Sequence, residues 1–162
     1  MLKSKQNVFD DFVGVAEHLI AKKFASAEHL AIRGGSNGGL LVGAVTNQRP
    51  DLFGAVVCTY PLLDMVRYHQ FLVASFWVPE YGLSDDPEQF AYIHAYSPYH
   101  QVVDGDEYPA TLYISGDGDT RVAPLHARRV AALMQVRNGS DEPILLRYHT
   151  QAGHPGGQPT SR

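Results

Sequence analysis

The chain has 162 residues, 44% hydrophobic and 19% charged, a make-up that suits one soluble globular domain with a sizeable core. Its net charge of -4, with Lys and Arg scattered along the chain, gives no basic face for nucleic acid. A single cysteine, Cys58, excludes an internal disulfide; no stretch is long enough to span a bilayer, and the start from Met1 to Gln6 has no apolar signal core, so a cytoplasmic address is expected.

In chain order, Phe9, Phe12, Val13, Ala16, Leu19 and Ile20 form an apolar helical stripe, with Asn7 as its expected N-cap and Asp10 and Asp11 in the first turn. A short strand is expected at residues 29 to 33. Leu40, Leu41, Ala44 and Val45 then recur at helical spacing until Asn47, and Pro50 stops the helix soon after. A second strand is expected at residues 53 to 58, a helix from Asp64 to Trp77, and a long surface excursion from Pro79 to Glu107. The third strand is Thr111 to Ile114, followed by a helix from about Pro124 to Asn138-Gly139 and a fourth strand from Ile144 to Tyr148. Cys58 lies in an apolar run and reads as a packed thiol.

Strands alternating with helices predict a mainly parallel α/β sheet of about four strands, whose ligand sites lie beyond the carboxyl ends of the strands. Between the first strand and its helix stands Gly34-Gly35-Ser36-Asn37-Gly38, a G-x-S-x-G pattern in the strand-turn-helix context of a nucleophile elbow. A serine hydroxyl is a weak nucleophile. It needs a base within reach and N–H groups that meet an oxyanion, and a helix N-terminus supplies the latter. Gly34, Gly38 and Gly39 are expected to permit the sharp turn. Gly116-Asp117-Gly118-Asp119 follows the third strand and Gly153-His154 the fourth, so the order serine, acid, histidine is that of α/β-hydrolases. Spacing alone leaves Asp117 and Asp119 both open as the acid. The other histidines show no metal-ligand spacing, so neither metal nor cofactor is expected.

Several separated motifs then agree. Gly34 to Leu41, Asn47-Gln48-Arg49-Pro50-Asp51-Leu52-Phe53, Tyr96-Ser97-Pro98, Asp119-Thr120-Arg121-Val122 and Ala152-Gly153-His154 together resemble the catalytic domain of prolyl oligopeptidases. The resemblance implies that Ser36 is the nucleophile, that His154 is the base and then the acid, and that Asp119 orients it. It implies that Asn37 gives its backbone N–H to the oxyanion, Arg121 binds a substrate carbonyl, and Trp77 stacks on a proline ring. Tyr81, Val122, Leu62 and Leu63 match positions around the same pocket.

Measured against that family, residues 1–162 read as a single truncated domain, a partial α/β-hydrolase fold. The β-propeller, the early strands, an oxyanion tyrosine and a final helix are the parts not matched. The first strand would then have an open edge, from which a homo-oligomer is expected. For the shortened chain, hydrolysis of small esters through an acyl-enzyme is the leading expectation, because an activated ester tolerates the loss of one oxyanion donor, about 3 kcal/mol, better than an amide does. The alternatives are cleavage of short peptides after proline and a catalytically silent interaction module.

Overall fold

The structure, a computed structural model, describes residues 2–154. Four strands form one sheet: β1 (Ala31–Gly35), β2 (Ala55–Thr59), β3 (Ala110–Gly116) and β4 (Ile144–His149). They lie in the order β1-β2-β3-β4, with every neighbouring pair parallel. Parallel neighbours need crossover connections, and helices supply them. They are α1 (Gln6–Ala21) before the sheet, α2 (Asn37–Gln48) between β1 and β2, α3 (Val78–Tyr81) and α4 (Pro87–Tyr96) between β2 and β3, and α5 (Leu125–Arg137) between β3 and β4. The sheet is a partial α/β-hydrolase sheet, as the alternating pattern predicts.

The apolar stripe of α1 does what its spacing requires. Phe9 and Ala16 are buried, and Phe12, Val13 and Ile20 pack against the core. Leu40, Val42, Ala44 and Val45 of α2 are buried among them, and Val56 and Cys58 of β2 and Tyr113 of β3 come from the sheet. Cys58 is a packed thiol: burial pushes its pKa up, and its Sγ donates to the Gly39 carbonyl at 3.3 Å.

Several local expectations change. Asn7 lies inside α1, whose N-cap is Lys5, continuing from a 3-10 turn at Leu2–Lys5. The first strand starts two residues late, because Ala27–His29 closes a 3-10 turn in which the His29 N–H donates to the Ser26 carbonyl. The expected helix from Asp64 to Trp77 is replaced by turns and two 3-10 segments, Tyr68–Gln70 and Ala74–Trp77. The Asp64 N–H donates to His126 Nδ1 at 3.0 Å and the Met65 N–H to Ser97 Oγ at 2.9 Å, while Leu72 sits at φ 52°. Neither N–H enters a helical ladder. Nor is 79 to 107 a surface excursion: α4, capped by the Asp86 carboxylate on the Glu88 and Gln89 N–H groups, buries Ile93 and Tyr96.

The segment after β2 is anchored from beneath by a buried ionic cluster. Asp64 is fully buried; its Oδ2 accepts from Arg67 Nη2 at 2.5 Å and from Arg129 Nη1 of α5 at 3.0 Å. Breaking such a pair on one side is costly, since it leaves an uncompensated buried charge. His126 is held neutral beside it, its pKa lowered to about 4 mainly by burial, against the opposing pull of Asp64.

Candidate active site

Ser36 stands at the turn from β1 into α2 with φ 57° and ψ -119°, a conformation that non-glycine residues rarely adopt. Its surroundings hold it there. The Ser36 N–H donates to the Thr59 carbonyl at 3.0 Å, and its own carbonyl accepts from the Gly39 and Leu40 N–H groups at 2.9 and 3.2 Å. A Cβ on Gly34 would lie 2.0 Å from the Gly38 carbonyl oxygen, and one on Gly39 would lie 2.7 Å from Pro61 Cβ, so both positions require glycine. Gly38 does not: nothing lies within 4 Å of a Cβ built there, which corrects its expected part in the turn. Ser36 is the N-cap of α2, and the Asn37 and Gly38 N–H groups that follow lie in its first turn, at its positive dipole end.

Geometry separates the two loop aspartates that spacing left equivalent. Asp119 is buried in the loop after β3; its Oδ2 is 2.7 Å from His154 Nδ1, and its Oδ1 accepts from the Arg121 and Val122 N–H groups, both at 2.9 Å. One carboxylate thus fixes the imidazole and the loop that carries Arg121. Asp117 faces elsewhere, accepting from the Gln151 N–H at 2.6 Å, while the Asp117 and Gly118 N–H groups donate to the His149 and Ala152 carbonyls. It ties the loop after β3 to the loop after β4, on which His154 sits. Tyr60, at φ 48° just beyond β2, places its ring edgewise against His154, centroids 5.8 Å apart.

Ser36 opens on a pocket of about 170 Å³, lined also by Asn37, Leu62, Trp77, Glu80, Tyr81, Arg121 and Val122. A dry cavity of about 150 Å³ accommodates benzene, so a five-membered ring fits this volume. The pocket collects Ser36, Asn37, Leu62, Trp77, Tyr81, Arg121 and Val122, and the Asp119–His154 pair adjoins it through the Asp119 bonds to the Arg121 and Val122 N–H groups; Leu63 lies apart. Leu63 is fully buried in the core, where a Cβ on Gly43 would lie 2.6 Å from its Cδ2.

Two residues of this region escape the sequence reading. Glu80 lines the pocket, and Lys5, just before α1, reaches it from the other end of the chain. Lys5 Nζ lies 3.2 Å from Glu80 Oε1 and 3.4 Å from Asn37 Oδ1, and 5.0 Å from the Tyr81 ring centroid. Tyr81 Oη donates to the same Asn37 Oδ1 at 2.8 Å. Burial, then the Glu80 carboxylate, push the Tyr81 phenol well above its ordinary range, so it stays a donor. No periodicity marks a contact spanning 75 residues.

Known proteins resemble this chain along its length in sequence and in fold. The sequence profile of the prolyl oligopeptidase family matches residues 1–162. A prolyl endopeptidase of Dictyostelium discoideum is 44% identical over 163 residues, covering 99% of this chain and 21% of the relative. A solved prolyl endopeptidase structure superposes with a TM-score of 0.92 at 54% identity, covering 94% of this chain and 23% of that one. A post-proline cleaving enzyme from Rickettsia typhi gives a TM-score of 0.89 at 38% identity over 94% of this chain and 22% of that one. The chain thus spans about a fifth of the length of the curated relatives it matches. The match from end to end and the shared fold place this chain in the prolyl oligopeptidase family.

Proposed function

We propose that this chain carries the nucleophile, base and acyl pocket of a serine peptidase that cleaves on the carboxyl side of proline. The observation that carries the reading is the Asp119 carboxylate, which binds His154 Nδ1 on one side and the loop of the pocket residues Arg121 and Val122 on the other. Asp119 holds the proton on Nδ1 and leaves Nε2 as the base. Ser36 Oγ attacks the prolyl carbonyl while Nε2 takes its proton, and the oxyanion meets the Asn37 N–H at the start of α2. The imidazolium then protonates the departing amine as the C–N bond breaks, and water repeats the sequence to free the acid. Trp77 stacks on the proline ring and Arg121 binds the carbonyl of the preceding residue.

Two solved relatives are called prolyl endopeptidase and post-proline cleaving enzyme, which favours peptides over the small esters expected from the sequence. A fluorophosphonate probe followed by intact-mass analysis tests the machinery: one adduct is expected, absent in Ser36→Ala. Arylamide turnover then tests the substrate, with an N-blocked glycyl-proline substrate expected to exceed its glycyl-alanine counterpart at least tenfold. A folded chain that takes no adduct refutes the nucleophile assignment; equal turnover of the two arylamides refutes the proline preference.

A further inference from the structure

A lysine side chain only 3% exposed is unusual, because an ammonium is rarely buried unless it is paired. Here the burial serves one wall of the acyl pocket. Asn37 Oδ1 accepts from Tyr81 Oη and Lys5 Nζ, two groups that can only offer protons to it while Tyr81 remains neutral. An amide oxygen has two lone pairs, and both are engaged. The amide therefore has one orientation, with Oδ1 towards Lys5 and Tyr81. Its Nδ2 has no hydrogen-bond partner among the described residues. Glu80 holds the ammonium from α3 and lines the same pocket.

We propose that Lys5, paired with Glu80, is a positioning residue for the acyl pocket: it locks the Asn37 amide so that this wall donates hydrogen bonds, and it balances the Glu80 carboxylate beside the developing oxyanion. Asn37 is also the first residue of α2, so its fixed side chain braces the turn whose N–H meets the oxyanion. The second half of the statement rests on the Ser36 reading above; the locked amide does not.

Lys5→Met keeps the length of the side chain and removes its charge, leaving Glu80 without that counter-charge and Asn37 Oδ1 with one fewer donor. Ser36 labelling by the fluorophosphonate and kcat on the glycyl-proline arylamide are both expected to fall about tenfold, with KM changed less than threefold. Lys5→Met/Glu80→Gln is expected to recover most of the loss, because no uncompensated carboxylate remains. A packing role would give no such recovery. Wild-type rates in Lys5→Met, or a double variant as slow as the single one, overturn the proposal. The side-chain amide signals of the asparagine-15N-labelled chain, with Asn37 assigned through Asn37→Asp, supply the independent arm. One Asn37 pair is expected in the wild-type chain, and two pairs or exchange broadening in Lys5→Met. If wild-type Ser36 takes no label, the catalytic reading fails, and this spectrum alone decides the lock. A sharp single Asn37 pair in Lys5→Met refutes it.

Discussion

His126 gives the fold a calculable weakness towards acid. Its Nδ1 accepts the Asp64 N–H at 3.0 Å, and burial holds its pKa at about 4 against an ordinary value of 6.5. The folded state therefore binds fewer protons than the unfolded chain between those values, so stability rises with pH across that window. The contribution of the neutral imidazole is fully present above pH 6.5 and is lost as pH falls, by about 2 kcal/mol at pH 5 and about 3 kcal/mol below pH 4. His100, whose pKa is also lowered mainly by burial, adds a loss of the same sign. His126→Asn places an amide oxygen where Nδ1 stood, keeping the acceptor and removing the titration. It also gives up the edgewise packing on Phe71, centroids 5.8 Å apart, a loss that is the same at every pH and adds to the titration effect. Urea unfolding followed by far-UV circular dichroism at pH 7.5, 6 and 5 separates the two effects. The difference between wild type and variant should shrink by about 2 kcal/mol from pH 7.5 to 5. A difference that stays constant across the series refutes a neutral, buried His126.

The two loop aspartates should separate sharply. Asp119→Asn can keep its oxygen on the Arg121 and Val122 N–H groups, but its NH2 then faces His154 Nδ1 and forces the wrong tautomer; kcat on the glycyl-proline arylamide should fall about 10⁴-fold. Asp117→Asn keeps an acceptor for the Gln151 N–H and should stay within about threefold, a difference of under 1 kcal/mol; the reverse ranking would move the acid to Asp117. At the elbow, Gly34→Ala drives a Cβ into the Gly38 carbonyl and should cost about 3 kcal/mol or more, whereas Gly38→Ala meets nothing and should gain about 0.5 to 1 kcal/mol. Equal midpoints in urea for the two variants would contradict that steric account.

The elements legible in the sequence are those whose stability is local or periodic. The α1 stripe, the β3 and β4 runs, and the α5 stop at Asn138-Gly139 all follow from spacing and caps, and the turn at Ser36 follows from Gly34 and Gly39. The misread segments are those whose backbone partners are distant. Asp64 and Met65 look helical by composition, yet their N–H groups go to side chains 62 and 32 residues away. The same limit hides Lys5 and Glu80, and it is why spacing alone could not separate Asp117 from Asp119, whose donors lie in other positions of the loops. Local patterns place the end of a strand to within about two residues. Which side chain of the following loop turns inward depends on what the other loops offer it.

The three groups assigned to the chemistry are held by different means. Ser36 is placed by backbone: a conformation worth about 1 to 3 kcal/mol of strain persists because three main-chain hydrogen bonds and two obligatory glycines leave the turn no alternative. Asp119 is placed by burial and by two N–H donors from its own loop. His154 has neither support. It sits on the loop after β4, and its position depends on the Asp119 carboxylate, the Tyr60 edge, and the Asp117 and Gly118 bonds that carry the residues before it. His154 is therefore the member of the site whose geometry is set by other loops. Loosening the bonds between the β3 and β4 loops should reduce the rate before it reduces stability, whereas damage at the elbow should do the opposite. Asp117 belongs to this site as a strut, although it never touches the imidazole.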